Sequence, residues 1–137
     1  PADMRRAQSR FAELDGVAEA LAPLWTGGAQ EIELPDLQFA LVVGDARETL
    51  RDWRHAADAW FLDGFSPAKN PELWQPDLMA EIAHHTVPGG TVATYTAAGF
   101  VRRGLEAAGF RVARQPGYGR KRHMTAAVKP RAVKGAP

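Results

Sequence analysis

Residues 58–74 read DAWFLDGFSPAKNPELW, and this stretch gives the strongest indication of the fold. Its first part, Ala59 to Leu62, is apolar and predicts a buried strand, whereas the prolines and glycine that follow predict a rigid loop. A single carboxylate, Asp63, lies at the junction and is followed directly by Gly64. Ligands of open α/β sheets bind beyond the carboxyl ends of the strands, so Asp63 is the first candidate for a functional residue.

Helices and strands are predicted to alternate on either side of this stretch, which favours a mostly parallel α/β sheet. The final two strands are joined by a turn too short for a crossover, so they predict an antiparallel hairpin at the sheet edge. Residues 39–43 are continuously apolar and predict a strand buried on both faces. The predicted helices are 3–14, 17–25 (ended by 27–28), 48–54, one from Pro76 to 88–90, and 98–108 with Gly109 as its cap; the predicted strands are 31–34, 39–43, 59–62, 91–96, 110–114 and 123–128.

Composition sets the broad class of the protein. The 137 residues suit one domain, and 45% of them are hydrophobic, which is ordinary for a globular core. No apolar run has the length of about 18 residues that a membrane span needs, so no membrane association is expected. The absence of cysteine excludes disulfides and thiolate sites and fits a cytoplasmic protein, and the four histidines show no metal-ligand spacing.

The charge is unevenly distributed along the chain. Residues 102–137 hold ten Lys/Arg and one acid, for a net of +9, whereas residues 1–101 hold seven Lys/Arg and fifteen acids, for a net of −8. This division indicates a polyanionic partner for the basic part, or else a solvated basic tail that aids solubility. Residues 129–137 are predicted to be a disordered basic tail that follows a domain over 1–128.

Two carboxylates and one loop carry the candidate chemistry. Asp45 and Asp63 each follow an apolar segment, so in one parallel sheet both would emerge at the same edge and could bind an amine or a ribose. Asp45 could instead be a helix N-cap. After Asp63, the loop offers stacking, charge and amide groups that suit a flat heteroaromatic substrate, unless its aromatic residues only pack the loop on the sheet; these residues are Phe65, Lys69, Asn70 and Trp74.

Two further segments are predicted to lie near ligands. Residues 94–96 end a strand with three hydroxyl side chains, which either point into the crevice or cap the next helix, where Arg102 and Arg103 are predicted to face outward. Residues 117–122 combine a glycine turn, Tyr118 and three cations, which fit phosphate and base-stacking contacts with RNA. The same segment lacks the third glycine and the following helix of a dinucleotide loop.

Three ordered motifs resemble one known family. They are Asp58–Pro71, Ala93–Leu105 and Gly117–Met124, and together they resemble the methyltransferase domain of the bacterial bifunctional tRNA 5-methylaminomethyl-2-thiouridine biosynthesis proteins. The resemblance implies a Rossmann-like class I methyltransferase fold, S-adenosylmethionine as cofactor, and methylation of the aminomethyl group on the wobble uridine of tRNA. It also implies that any flavin belongs to an oxidoreductase domain fused C-terminally in some members, outside this chain.

The resemblance assigns roles to individual residues. Asp45 and Ala46 would lie against the adenine of the donor, and Asp63 would lie between the donor and the substrate amine, as the catalytic carboxylate. The substrate pocket would be shaped by Phe65, Lys69 and Asn70, and the tRNA backbone would be contacted by Arg120, Lys121 and Arg122.

The resemblance covers the C-terminal portion of such a domain, without its first two strands and its glycine-rich loop. We therefore expect the 39–43 strand to be separated from the other strands and the 59–62 strand to have an open edge. Two alternatives to the tRNA methyltransferase are a basic α/β module that binds tRNA without chemistry and a methyltransferase of the same fold that acts on a small molecule. The sequence makes no prediction of oligomeric state.

Overall fold

The computed structural model describes residues 2–26 and 30–131, and these divide into two compact units between Val43 and Gly44. No helix in the described ranges is long and apolar enough to cross a membrane. The helices are α1 (Ala2–Gln8), α2 (Asp15–Thr26), α3 (Ala46–Asp52), α4 (Pro76–His84) and α5 (Gly99–Ala107), with short 3-10 helices at Ala12–Leu14 and Pro71–Trp74; the strands are β1 (Glu31–Leu34), β2 (Leu37–Ala40), β3 (Ala57–Leu62), β4 (Thr86–Thr94), β5 (Arg111–Pro116) and β6 (His123–Val128).

The first unit holds α1, α2 and an antiparallel hairpin of β1 and β2. The single helix predicted over 3–14 is divided, because α1 ends at Gln8 and Phe11 N donates to the Gln8 carbonyl in an i to i+3 bond of 2.8 Å. Such a bond tightens the last turn and stops the α-helical ladder. The predicted stop at 27–28 lies outside the described residues.

The prediction of a strand over 39–43, buried on both faces, is wrong in both its bounds and its burial. Strand β2 ends at Ala40, and Val42 and Val43 are 61% and 74% exposed. An apolar run becomes a buried strand only when elements cover it, and β2 pairs only with β1 among the described strands. The expected separation of this strand from the others is confirmed, because β1 and β2 form a two-stranded sheet of their own.

The second unit is built on a four-stranded sheet of order β3-β4-β6-β5. The α/β class is confirmed, but the sheet is mixed: β3 and β4 are parallel, whereas β6 is antiparallel to both β4 and β5. The sheet is less parallel than predicted because β2 is not a member of it. The C-terminal hairpin is confirmed, with β5 at one edge and β6 inside the sheet. Among the described strands, β3 forms the expected open edge opposite.

The core lies between one face of this sheet and the helices α4 and α5. Trp60, Val92, Ala127 and Val112 occupy one register row across the four strands and contribute to the core cluster or pack against it. Helix α5 adds Leu105, whose side chain is fully buried. On the opposite face, Phe61 is 84% exposed.

Strand β4 begins earlier than predicted. Residues 88–90, predicted as a helix stop, belong to the strand, and the pairing with β3 shifts register between the pairs Ala57–Thr86 and Ala59–Thr91. Gly89 has φ +89°, and its N–H donates to the Lys129 carbonyl at 2.8 Å. The positive φ explains why a glycine occupies this irregular position.

Lys129, the first residue of the predicted tail, is held in the folded unit. Its ammonium donates to the carbonyls of Ala83 and Thr86, each at 2.7 Å, and so caps the C-terminal end of α4. Its backbone N–H donates to the Gly90 carbonyl at 2.9 Å. The ordered chain therefore continues past 128, while residues 132–137 of the predicted tail lie outside the described residues.

Candidate functional site

Asp63 lies directly after the C-terminal end of β3, where the sequence predicts it. Its backbone N–H donates to the Phe61 carbonyl at 3.1 Å, and its side chain is exposed. In the described part of the chain this carboxylate has no hydrogen-bond partner. Both oxygens are therefore free to accept from a ligand.

The segment 63–74, called here the Asp63 loop, is fixed to the core by Trp74. The Trp74 side chain is 5% exposed, and its Nε1 donates to the Phe65 carbonyl at 3.1 Å. A methyl group on Gly64 would lie 3.3 Å from Leu73 Cδ1 and 3.4 Å from Trp74 Cζ2, so the glycine allows the loop to approach the core closely. The carboxylate thus projects from a segment held at both ends.

The predicted substrate-pocket residues all lie on this loop. The backbone N–H groups of Lys69 and Asn70 donate to the Ser66 carbonyl at 2.8 Å and 3.0 Å, which closes a tight turn. Phe65 is 76% exposed, so of the two aromatic residues only Trp74 packs the loop on the sheet. Phe65 and Lys69 instead present a ring and a cation to solvent, available to a ligand.

Asp45 has the geometry of a helix N-cap, which was the alternative role predicted for it. It precedes α3, and its carboxylate accepts from the Arg47 backbone N–H at 2.9 Å and from the Arg47 guanidinium at 2.5 to 3.1 Å. The hydrogen bonds from the Arg47 side chain and then its backbone lower the pKa of Asp45 from 3.8 to about 2. The premise that joined Asp45 to Asp63, a 39–43 strand in the same sheet, is wrong.

Ala46 is the first residue of α3 and is half-buried against the core cluster. The first N–H groups of a helix have no acceptor within it, so Ala46 can offer a backbone donor. Gly44 precedes this corner, and a methyl group there would lie 2.6 Å from Thr49 Cγ2. The corner is therefore closely packed, with Asp45 at its surface.

The hydroxyls that end β4 stabilise the turn into α5. Thr94 Oγ1 accepts from Thr96 N at 3.3 Å, Thr96 Oγ1 accepts from Ala98 N at 3.2 Å, and Thr125 Oγ1 donates to the Thr96 carbonyl. Tyr95, in contrast, is 55% exposed. Since Leu62 pairs with Thr94, Tyr95 and Asp63 follow at the same level of neighbouring strands. The sequence alone did not distinguish Tyr95 from the two threonines, because that distinction needs the strand register.

Residues 117–122, the basic turn, join β5 to β6. Gly117 N donates to the Arg122 carbonyl at 3.2 Å, and Gly119 adopts φ +61°. Exposed side chains line this turn: Tyr118, Arg120, Lys121 and Arg122. The pairs Thr94–Thr125 and Pro116–His123 place the turn beyond the C-terminal end of β4. The basic turn and Asp63 therefore lie at the same end of the sheet.

The described residues hold no group of three or more His, Cys, Asp or Glu side chains placed to bind a metal ion. The groups that the structure gathers at this end of the sheet are instead a free carboxylate, exposed rings and cations. They suit the binding of an organic substrate and a polyanion.

Curated relatives include tRNA 5-methylaminomethyl-2-thiouridine biosynthesis bifunctional proteins MnmC. That of Caulobacter sp. (strain K31) is 47% identical in a match that covers 96% of this chain and 23% of that protein. That of Stutzerimonas stutzeri (strain A1501) is 46% identical over 128 residues, covering 90% of this chain and 19% of that protein. The chain thus spans about a fifth of the length of these relatives.

A solved structure has a similar fold. The crystal structure of MnmC2 from Aquifex aeolicus aligns with a TM-score of 0.70 and 32% sequence identity, over 84% of this chain and 38% of that one. Residues 12–130 match the family described as S-adenosyl-L-methionine-dependent methyltransferase. With most of its length inside that match, and with the fold and the carboxylate-bearing loop described above, the chain belongs to the S-adenosyl-L-methionine-dependent methyltransferase family.

Proposed function

We propose that this chain is part of an enzyme that transfers a methyl group from S-adenosylmethionine to the aminomethyl group of wobble 5-aminomethyl-2-thiouridine in tRNA. The family supports the donor, and the names of the relatives support the tRNA substrate. One observation carries the proposal: Asp63 presents a free carboxylate after β3 on a loop anchored by Trp74. A tRNA substrate would place the protein in the cytoplasm.

The residues present fit the donor in part. Ala46 offers an unpaired backbone N–H for a ring nitrogen of adenine, and Asp63 offers an acceptor near the reacting groups. Asp45 accepts four hydrogen bonds from Arg47, which occupy the acceptor positions of a carboxylate. An adenine amino group that contacts Asp45 therefore has to displace the Arg47 guanidinium.

The chemistry of Asp63 is that of orientation and proton uptake. When bound, S-adenosylmethionine supplies a methyl group on a positively charged sulfur. Asp63 accepts a hydrogen bond from the substrate amine, orients its lone pair for in-line attack, and receives the proton that the amine releases. Because the loop is held in place by Trp74, little reorganisation is needed to bring the carboxylate to the amine.

The substrate contacts divide into those of the base and those of the backbone. Phe65 offers a face for stacking on the uracil ring, and Lys69 and Asn70 offer a cation and an amide for its polar edge. Arg120, Lys121 and Arg122 lie on the basic turn, where they can contact phosphates. Flavin chemistry, where a longer protein carries it, belongs to a domain outside residues 1–137.

The test is methyl transfer in the complete protein, with labelled S-adenosylmethionine and tRNA that carries the wobble aminomethyl group. Asp63→Ala and Asp63→Asn should lower turnover about 100-fold or more while donor affinity stays within a few-fold. Asp58→Asn is the matched control, since Asp58 is an exposed carboxylate on β3, the strand that Asp63 follows. Near-normal turnover of Asp63→Ala with donor bound would refute the role of Asp63.

Binding measurements on the same protein, of labelled S-adenosylmethionine and of tRNA over a range of salt concentrations, separate the alternatives. A basic module without chemistry predicts tRNA binding with no saturable donor site. A methyltransferase of small molecules predicts donor binding and no salt-sensitive affinity for tRNA.

A further inference from the structure

Two arginines of α5 converge on the start of their own helix. A methyl group placed on Gly99 would lie 3.1 Å from Nη1 of Arg103 and 3.9 Å from Nη2 of Arg102. The sequence predicts that both side chains face outward. Arg103 is exposed as predicted, but Arg102 is only partly exposed and its Nε atom is buried. We call Arg102 and Arg103 the arginine pair.

The arginine pair lacks an anionic partner. The Arg102 Nε has no hydrogen-bond acceptor, and neither guanidinium forms an ion pair within residues 2–26 and 30–131. Glu106 is the only acid between Glu81 and the C-terminus. Two cations held close together without a counter-charge repel each other, and a buried donor without an acceptor costs free energy. The first of these costs, the repulsion, is removed if an anion binds the two guanidinium groups.

The start of α5 adds backbone donors at the same place. Ala98, the N-cap residue, provides no side-chain acceptor, so the first N–H groups of this nine-residue helix keep their donor capacity. Backbone donors and the helix dipole favour a negative ligand at this end. The arginine pair is the independent feature, because guanidinium groups bind phosphate through paired hydrogen bonds.

The location relates this anion site to Asp63. Only residues 95–98 separate the C-terminal end of β4 from α5, and the pairing of Leu62 with Thr94 sets Asp63 beside that end. The arginine pair and Asp63 therefore flank one end of the sheet. The basic turn lies beyond the same end of β4, so both groups of cations lie at the end of the sheet where Asp63 lies.

We propose that Arg102 and Arg103 bind a backbone phosphate of the RNA adjacent to the nucleotide whose amine Asp63 receives. The proposal rests on the proposed function and adds a specific contact to it. A phosphate held there fixes the target nucleotide in register with Asp63, because the pair lies on the helix that follows the strand beside Asp63. The pair is thus a positioning element for the substrate.

The experiment measures binding of an RNA hairpin with uridine at the wobble position, by fluorescence anisotropy across a range of salt concentrations. Arg102→Ala/Arg103→Ala should weaken binding about tenfold and reduce the slope of log K against log salt by about 1. Arg102→Lys/Arg103→Lys keeps the charge, but loses the paired hydrogen bonds, and should be intermediate. Arg51→Ala/Arg54→Ala is the matched control, because it removes two exposed cations near the opposite end of β3.

A second measurement tests whether the arginine pair binds the phosphate beside the wobble nucleotide. A hairpin with a neutral methylphosphonate beside the wobble nucleotide should bind wild type more weakly than the natural hairpin, whereas the Ala/Ala variant should bind both equally. If that variant does not fold, as judged by circular dichroism, the Lys/Lys variant is compared on the two hairpins instead, and its discrimination should shrink.

The outcomes separate the two proposals. If the wild-type chain does not bind the hairpin, the RNA substrate is wrong and the inference falls with it. If the wild type binds but the arginine-pair variant loses no more affinity than Arg51→Ala/Arg54→Ala, the inference alone is overturned. The inference is also overturned if the neutral linkage weakens wild type and the Ala/Ala variant to the same degree.

Discussion

Replacement of Trp74 by alanine tests how the Asp63 loop is held. The substitution empties a core position that is 5% exposed and removes the hydrogen bond from Nε1 to the Phe65 carbonyl. Loss of a buried aromatic side chain costs about 3–5 kcal/mol, and the hydrogen bond adds about 0.5–1.5 kcal/mol. Since a domain of this size is stable by about 5–15 kcal/mol, Trp74→Ala should remove a large fraction of its stability.

The milder change Trp74→Phe separates the two contributions. It keeps a buried ring and loses the N–H donor, so the free energy of unfolding should fall by about 1–2 kcal/mol, from the lost bond and the smaller ring. In the complete enzyme, methyl transfer should also fall, because the hydrogen bond to the Phe65 carbonyl no longer fixes the loop that carries Asp63.

The assay is urea unfolding followed by circular dichroism, with Phe65→Ala as the control. Phe65 belongs to the same loop but is 76% exposed, so its removal should change the unfolding free energy by no more than about 0.5 kcal/mol. A Trp74→Ala variant within about 1 kcal/mol of wild type would refute the assignment of Trp74 as the anchor. So would a Phe65→Ala variant that is equally destabilised.

Three further outcomes are expected. The pKa of Asp45, measured by NMR titration, should be about 2 and should move toward 3.8 in Arg47→Ala. Because folding depresses this pKa, the associated stability is present above pH 3.8 and is lost as the pH falls through about 2. An ordinary pKa in wild type would contradict the N-cap geometry. Lys129→Met should lower the free energy of unfolding by about 1–3 kcal/mol in urea titrations, since the two hydrogen bonds from its ammonium are lost; an unchanged midpoint would place Lys129 in a free tail. Gly109→Ala should cost about 1 kcal/mol or more by the same assay, because Gly109 has φ +98°, and a neutral effect would contradict that conformation.

In the second unit, elements were predicted well where local sequence signals alone decide the structure. The bounds of β6 were predicted without error, and Gly109 follows the C-cap residue of α5 with a positive φ, because a glycine at a helix end is a local signal. The position of Asp63 after β3 followed from the same kind of signal. The open edge of β3 came from the family resemblance rather than from local pattern.

The predictions that were wrong concern contacts between distant segments of the chain. The run that ends in Val42 and Val43 has the composition of a buried strand, but composition does not supply the neighbours that would bury it. The lysine at 129 reads as part of a basic tail, yet its ammonium caps α4 through contacts 43 and 46 residues away. Tyr95 and Arg102 became candidates only after register and burial were known.

Strand β3 has two chemically different sides, because β4 pairs with one of them and no described strand pairs with the other. Successive backbone amides of a strand point to opposite sides. Amide hydrogens of β3 should therefore alternate between slow and fast exchange with deuterated water, residue by residue, while those of β4 inside the sheet should be slow throughout its paired part. Loss of this alternation would report directly when another segment pairs along Ala57–Leu62.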